Sequence, residues 1–253
     1  MSGVILQARG LGKSYGAIKV LHDIDMTLHE GESRVVIGPN GAGKTTLFKC
    51  LSGETQGNAG TITLQGRDVT REPGFRRVRA GVGRTFQVAR VFPDMTVREN
   101  LTVAVEMRER IAGAGLRQLL SLAPRRAVAA EVSRLVEDFG LGHVAGRPAR
   151  ITSHGDKKRL ELGMSLALRP RLLMLDEPTA GMSPADRLDA VRMIADVRER
   201  YGLTLLLTEH DMEVVFGVAT QLTVLHHGAI IADGNPEEVR KDPKVREVYL
   251  GHD

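Results

Sequence analysis

The feature that most restricts the fold of this chain is a glycine-rich loop, GPNGAGKTT, at residues 38–46. A short β-branched run, SRVVI, precedes the loop, and a helical pattern, KTTLFKCLS, follows it. This order matches G-x-x-x-x-G-K-[ST], in which glycines let backbone N–H groups converge on phosphate oxygens at a helix N-terminus. The sequence therefore predicts a strand–loop–helix unit that holds the phosphates of a nucleotide.

Within this loop, Lys44 is expected to reach the β- and γ-phosphates, and the Thr45 hydroxyl is expected to bind Mg²⁺. The strand before the loop and the helix after it disfavour the alternative, a chance match in a glycine-rich turn. The loop alone leaves kinases, GTPases, motors and transport ATPases open. The residues predicted to hold the nucleotide are Gly38, Pro39, Asn40, Gly41, Ala42, Gly43, Lys44, Thr45 and Thr46.

Short β-branched runs lie along the chain, and several alternate with helical patterns, which indicates an α/β fold with a mainly parallel sheet. The runs are VILQA, SRVVI, TITL, LLML, LTLLLT, QLTVLH and AIIAD. The middle differs, because residues 100–141 show almost no strand pattern and indicate helices broken near GAG and Pro124. We therefore predict a helical block inserted into an α/β domain.

Composition limits the compartment and the partners. Hydrophobic residues make up 42% and charged residues 26%, and Lys+Arg exceed Asp+Glu only by 35 to 31, which is too small an excess to imply nucleic acid. The single cysteine, Cys50, excludes an internal disulfide framework and fits a reducing compartment. The start shows no secretion signal, and no apolar run approaches the roughly 20 residues of a membrane helix. If the protein works at a membrane, we expect other chains to supply the spans.

An acidic pair follows the apolar run in RLLMLDEP. Asp176 fits a partner for Mg²⁺ at a strand end, and Glu177 would orient or deprotonate a water for in-line attack. The alternative is that this acidic pair is only the polar end of the strand and has no catalytic role.

Three single residues complete the candidate site, and each also has a structural interpretation. Gln87 ends GRTFQ, and the alternative to a role in the site is a glutamine in a turn. The segment around it is rich in Arg. This segment is either a solvated loop or a contact with membrane-protein loops or anionic headgroups. His210 follows the run LLLTE and could touch a γ-phosphate, although a lone histidine is more often structural. Tyr15 in KSYG could instead be a partly buried hairpin residue.

In this order, the loop and these residues resemble the ATP-binding subunits of ABC transporters over essentially the full length. The resemblance implies a P-loop NTPase core with an antiparallel β subdomain, in one domain of residues 1–253, and a helical subdomain at about residues 100–165. It further implies that Tyr15 stacks on adenine, that Gln87 senses nucleotide and Mg²⁺, that Glu177 activates water and that His210 contacts the γ-phosphate. Lys44, Glu177, His210 and Gln87 are thus the predicted catalytic residues, and Thr45, Gln87 and Asp176 the predicted Mg²⁺ ligands.

The family signature, L-S-G-G-Q, corresponds to TSHGD at residues 152–156, where Ser153 and Gly155 match. In the family this helix start binds the γ-phosphate held by a second monomer, so Ser153 and Gly155 are predicted to bind nucleotide. The alternative is an ordinary capped helix. Asp156 departs from the pattern, and we expect it to turn away from that phosphate, toward amides of its own helix or a nearby base. AGMS, at residues 180–183, stands where the family often has S-A-L-D, so this chain lacks the aspartate of that loop.

These departures, together with the tail GNPEEVRKDPKVREVYLG, resemble the branch that imports branched-chain amino acids and related polar solutes. The resemblance implies an ATPase at the cytoplasmic face of the cell membrane that binds ATP and Mg²⁺. Its partners would be a second copy or a sister ATPase subunit, transmembrane permease subunits and, indirectly, a solute-binding protein, with no nucleic acid. The alternatives are urea uptake, lipid or polysaccharide export, a soluble ABC-type ATPase acting on DNA or ribosomes, and a regulator without turnover.

Overall fold

The computed structural model describes residues 3–85, 90–111 and 126–250, and the elements below lie in these ranges. The strands are β1 (Val4–Tyr15), β2 (Ile18–His29), β3 (Ser33–Ile37), β4 (Ala59–Leu64), β5 (Arg67–Asp68), β6 (Val82–Arg84), β7 (Leu172–Asp176), β8 (Thr204–Thr208), β9 (Gln221–His226) and β10 (Ala229–Gly234). The helices are α1 (Lys44–Ser52), α2 (Gly74–Arg79), α3 (Val97–Ile111), α4 (Arg126–Asp138), α5 (His154–Ala167), α6 (Pro184–Tyr201), α7 (Met212–Val218), α8 (Pro236–Lys241) and α9 (Pro243–Val245). A π-helical turn, Arg246–Leu250, follows α9.

The larger sheet has the order β10-β9-β3-β8-β7-β6, with β10 antiparallel to β9 and the other pairs parallel. Strands β3, β7 and β8 are buried along their whole length, as parallel strands covered on both faces are. The predicted α/β fold with a mainly parallel core is therefore confirmed. The carboxyl ends of β3, β8 and β7 lie side by side at one edge of the sheet, which is where ligands bind in such folds.

The smaller sheet is antiparallel, with the order β2-β1-β4-β5, and it confirms the β subdomain that the family resemblance implied. The β1–β2 hairpin packs on the glycine loop. His22 N–H donates to Gly228 O at 2.8 Å, and Gly228 N–H donates to Ala42 O at 3.0 Å. The turn after β9 thus connects the hairpin to the phosphate loop.

Helices occupy the described part of the predicted helical block. Helix α3 packs against α4 and α5, and Thr96 and Glu99 exchange side-chain and backbone hydrogen bonds at the start of α3. The predicted breaks near GAG and Pro124 lie outside the described residues. The interpretation of residues 100–165 as an inserted subdomain stays a prediction.

The seven runs predicted to be strands all lie in strands, whereas β2, β5 and β6 were not predicted. At the C-terminus, Val245 is buried in the core, as expected for a docked tail, and Val248 is partly buried.

Candidate functional site

The phosphate loop lies between β3 and α1. At two of its glycines, a side chain would clash with the backbone of a neighbouring strand. Gly38 has φ 155°, and an added Cβ would lie 2.1 Å from Leu225 O of β9. Gly43 has φ 106°, and a Cβ there would meet the backbone of Val20 at 3.1 Å. Gly43 also begins α1 without a capping side chain, which leaves the first amides of the helix for an anion.

Lys44 is buried beneath this loop. Its Nζ donates to Gly38 O at 2.5 Å and to Pro39 O at 3.2 Å. Burial lowers the pKa of Lys44, and the nearby carboxylates of Glu177 and Asp176 act in the opposite direction. Thr45, the next residue, is exposed. The roles of Lys44 at the phosphates and of Thr45 at Mg²⁺ stay predictions.

Asp176 ends β7, and its carboxylate is held from two sides. Thr208 Oγ1 donates to Asp176 Oδ1 at 2.9 Å, and Arg84 Nη2 lies 3.3 Å from Asp176 Oδ2. Arg84 also donates to Ser52 Oγ at 2.7 Å and to Glu54 Oε2 at 2.6 Å. This carboxylate is thus connected both to the neighbouring strand and to the far end of α1.

Glu177 has φ 47°, a left-handed conformation that is uncommon for a residue with a side chain. Its N–H donates to Thr208 O at 3.2 Å and to Thr208 Oγ1 at 3.1 Å. Such conformations cost about 1–3 kcal/mol and cluster at functional sites, where the surrounding structure maintains them. The strand end therefore places a carboxylate immediately beyond Asp176 in a fixed backbone geometry.

His210 lies just beyond β8, and its side chain is largely exposed. The residue before it, Glu209, is fully buried and accepts hydrogen bonds from the Thr179 hydroxyl and the His210 N–H. The structure thus brings Lys44, Asp176, Glu177 and His210 to the same edge of the sheet.

Tyr15 ends β1 in the hairpin with β2, where it pairs with Ile18. Its side chain is 48% exposed, and Lys13 Nζ lies 4.9 Å from the ring centroid. This half-exposed ring fits both stacking on a ligand and the alternative of a partly buried hairpin tyrosine. The hairpin contacts the phosphate loop through β2, next to Gly43.

Ser153 caps α5 by accepting a hydrogen bond from Asp156 N–H at 3.1 Å. Ser153 and Gly155 line a cleft of about 360 Å³ together with His143, Met182 and Asp186, and no residue of the glycine loop lines it. The Asp156 carboxylate accepts from Ser153 Oγ at 2.7 Å and lies 3.5 Å from His143 Nε2, so it does contact a base but is buried.

The donor set at the sheet edge fits Mg²⁺. Within the described part of the chain, no group of three or more His, Cys, Asp or Glu side chains is arranged to hold a metal. Mg²⁺ needs few protein ligands, since it is commonly bound by one or two oxygen side chains together with substrate phosphates and water. Thr45 and Asp176 supply such oxygens. Gln87, the third predicted ligand, lies outside the described residues.

Sequence reasoning missed Arg84, Thr208 and Glu209. Each is adjacent to a residue that the sequence analysis singled out or lies within a stretch quoted there, GRTFQ or LLLTE. Most of their partners are distant in the sequence, as Ser52 is from Arg84 and Thr179 is from Glu209, so no local spacing reveals them. In the described ranges, no helix is long and apolar enough to cross a membrane.

Comparison with known families gives two matches. The family described as ABC transporter matches residues 21–180. The family described as Branched-chain amino acid ATP-binding cassette transporter matches residues 229–253, the C-terminal segment.

Comparison with known proteins gives full-length similarities. The chain is 40% identical to the high-affinity branched-chain amino acid transport ATP-binding protein LivG of Salmonella typhimurium, over 99% of both chains. It is 36% identical to the lipopolysaccharide export system ATP-binding protein LptB of Haemophilus influenzae, over 98% of this chain and 97% of that one. The crystal structure of the ADP conformation of MJ1267, an ATP-binding cassette of an ABC transporter, matches with a TM-score of 0.83 and 29% identity over 98% of this chain and 99% of that one.

Proposed function

The chain belongs to the ABC transporter family as an ATP-hydrolysing subunit, and we propose that it powers a membrane importer for branched-chain amino acids or a related small polar solute. The C-terminal match is the observation that favours this solute. The nucleotide site is common to the wider family, whereas the matched segment, residues 229–253, lies outside that site. That segment docks on the core through Val245.

Hydrolysis is assigned to the edge of the parallel sheet. Lys44 and the amides at the start of α1 bind the phosphates, and Thr45 and Asp176, with Gln87, would hold Mg²⁺. When bound, Mg²⁺ neutralises charge on the phosphates. Glu177 orients a water for in-line attack and accepts its proton, and His210 contacts the γ-phosphate. Tyr15 stacks on adenine. The fixed backbone of Glu177 beside Asp176 is the observation that carries this assignment.

The signature residues are assigned to the nucleotide of a second chain. Ser153 and Gly155 lie on a cleft that the glycine loop does not line, so they would receive a γ-phosphate from outside their own loop. A second copy of this chain, or a sister subunit, would complete each site. Closure around two nucleotides would pull on the permease, and hydrolysis would reset it.

The contact with the permease is assigned to an apolar groove of about 250 Å³ between α3 and α5. Phe92 and Met107 are each 47% exposed there, and Arg90 and Glu161 border them. Arg84, which lies beside Asp176, also lines the groove, so a permease segment with an apolar face would contact a residue of the proposed nucleotide site. With this contact the chain would act as a peripheral subunit on the cytoplasmic face of the cell membrane. A solute-binding protein would act through the permease alone.

The solute is tested by uptake in cells that lack this chain. We expect leucine uptake to be lost and to return with the wild-type chain but not with Lys44→Ala. Normal leucine uptake with a loss of urea uptake would contradict the proposed solute. A defect in lipopolysaccharide export instead would favour the export function of LptB, which is 36% identical.

A further inference from the structure

A fully buried carboxylate lies at the end of β8, and none of the roles above uses it. Glu209 is 0% exposed. Its Oε1 accepts from Thr179 Oγ1 at 2.6 Å and from Thr179 N–H at 3.2 Å, and its Oε2 accepts from His210 N–H at 3.2 Å. One oxygen thus binds the loop of Thr179, and the other binds the amide of the next residue in the segment of Glu209 itself.

The two loops are the ones that carry the proposed chemistry. Thr179 lies two residues after Glu177, in the segment that leaves β7, whereas Glu209 and His210 begin the segment that leaves β8. Glu209 itself is tied to β3 through its N–H, which lies 3.4 Å from Val36 O. An ionised carboxylate only accepts hydrogen bonds, and bonds to it are shorter and stronger than neutral ones.

We propose that Glu209 is a positioning residue that fixes the loop of Glu177 against the segment of His210 that follows β8, so that the Glu177 and His210 side chains meet the same γ-phosphate. Glu209 itself touches no nucleotide. Its buried carboxylate joins the two segments through hydrogen bonds, so that a shift of either segment is passed to the other. This inference rests on the roles proposed for Glu177 and His210.

The first test is Glu209→Gln in the full chain. An amide can keep one oxygen acceptor, but its NH₂ group then faces either the Thr179 donors or the His210 N–H, so one of the two loops is released. Because small misplacements of reacting groups can cost about 100-fold in rate, we expect kcat for ATP hydrolysis to fall about 10- to 100-fold, with the ATP dissociation constant unchanged within about twofold. Glu213→Gln, an exposed substitution on the same segment, is the matched control and should keep the wild-type kcat.

The second test separates positioning from general support of the fold. In a His210→Ala background, Glu209→Gln should lower kcat by less than about threefold, because Glu177 then has no second side chain with which it must be aligned at the γ-phosphate. An equal loss of kcat in both backgrounds, or a wild-type kcat for Glu209→Gln, would overturn the proposal.

If Glu209→Gln does not fold, the same contact is tested by substituting Thr179, the residue that donates to Glu209. Thr179→Val removes the hydroxyl donor at constant shape and should lower kcat, while Thr179→Ser keeps the donor and should restore kcat to within about threefold of wild type. Equal kcat for both variants would refute the contact. A wild-type chain that turns over ATP no faster than Glu177→Gln would refute the proposed function instead.

Discussion

Lys44 shows how the nucleotide site is held together at the level of one residue. The ammonium is buried, which lowers its pKa, and it donates to two carbonyls of the glycine loop. Asp176 and Glu177 lie near enough to favour its charged form. An incoming phosphate would therefore exchange these carbonyls for stronger acceptors without burying a new cation.

Tyr15 has a predicted role that depends on its exposed ring. Stacking on a nucleic-acid base is worth roughly 1–3 kcal/mol by alanine substitution, and we apply that scale to adenine. We expect Tyr15→Ala to weaken ATP binding about tenfold, while Tyr15→Phe, which keeps the ring, stays within about threefold. Equilibrium titration with ATP measures both, and equal affinities for all three proteins would remove Tyr15 from the site.

At the scale of elements, the sequence predicts strands best where both faces are buried. The runs in β3, β7 and β8 are continuous and apolar because helices or the second sheet cover them on both sides. Strand β2 was not predicted because the search for β-branched runs passes over its alternating pattern, in which the buried Ile24, Met26 and Leu28 are separated by polar residues along an edge of the smaller sheet. Strand β6 is only three residues long.

The same limit applies to the candidate site. Lys44, Asp176 and Glu177 could be predicted because their motifs are contiguous in sequence. Thr208 and Glu209 could not, because they act on neighbours that the parallel sheet brings from β7. For Asp156 the sequence predicts a nearby base, but only the structure identifies it as His143 and shows the carboxylate buried against Ser153.

The start of α5 can be tested by placing charge and bulk in its cleft. Two unit charges about 8 Å apart at an effective dielectric of about 20 interact by roughly 2 kcal/mol, so Gly155→Asp should strongly disfavour an ATP-bound dimer, and Ser153→Arg should fill the cleft. Asp156→Gln should change dimer formation little, because that carboxylate already faces Ser153 and His143. Sedimentation with Mg-ATP in a Glu177→Gln background measures all three. A large gain of dimer from Asp156→Gln would show that the acid faces the phosphate.

Three helices meet at Arg108 near the end of α3. It forms two hydrogen bonds to Glu131 of α4, at 2.5 and 2.9 Å, and one to Ala167 O at the end of α5, at 2.9 Å. Since hydrogen bonds to charged groups contribute about 1.5–3 kcal/mol, Arg108→Ala should lower the free energy of unfolding by about 2 kcal/mol at pH 7. The exposed Arg110→Ala, on the same turn, should cost much less.

This contact also predicts a pH dependence. The hydrogen bond from Arg108 lowers the pKa of Glu131 below its ordinary value. A depressed carboxyl pKa stabilises the fold above the unfolded-state pKa, and that stabilisation is lost as pH falls through the folded-state pKa. The difference between wild type and Arg108→Ala in denaturant unfolding should therefore shrink as pH falls below about 4. A constant difference down to acid pH would show that the pair contributes through packing instead.

At the scale of the whole molecule, the groove between α3 and α5 is the proposed contact with the permease. Phe92→Asp should abolish copurification with the permease, because it puts a charge into an apolar contact, while ATP binding is retained. Phe75→Asp is the matched control, since Phe75 is 60% exposed on α2, outside the groove. Pull-down from detergent extracts measures both. Loss of copurification with Phe75→Asp alone would show that the permease binds the Arg-rich segment around α2 instead of the groove.

We propose that ATP hydrolysed at Glu177 drives solute across a membrane. The most direct test is leucine accumulation by proteoliposomes that contain the permease, a solute-binding protein and this chain, with Mg-ATP on the side of this chain. General-base catalysis contributes about 10²–10⁴ in rate, so Glu177→Gln should lower accumulation at least 100-fold although ATP still binds. Accumulation within threefold of wild type with Glu177→Gln would contradict the account.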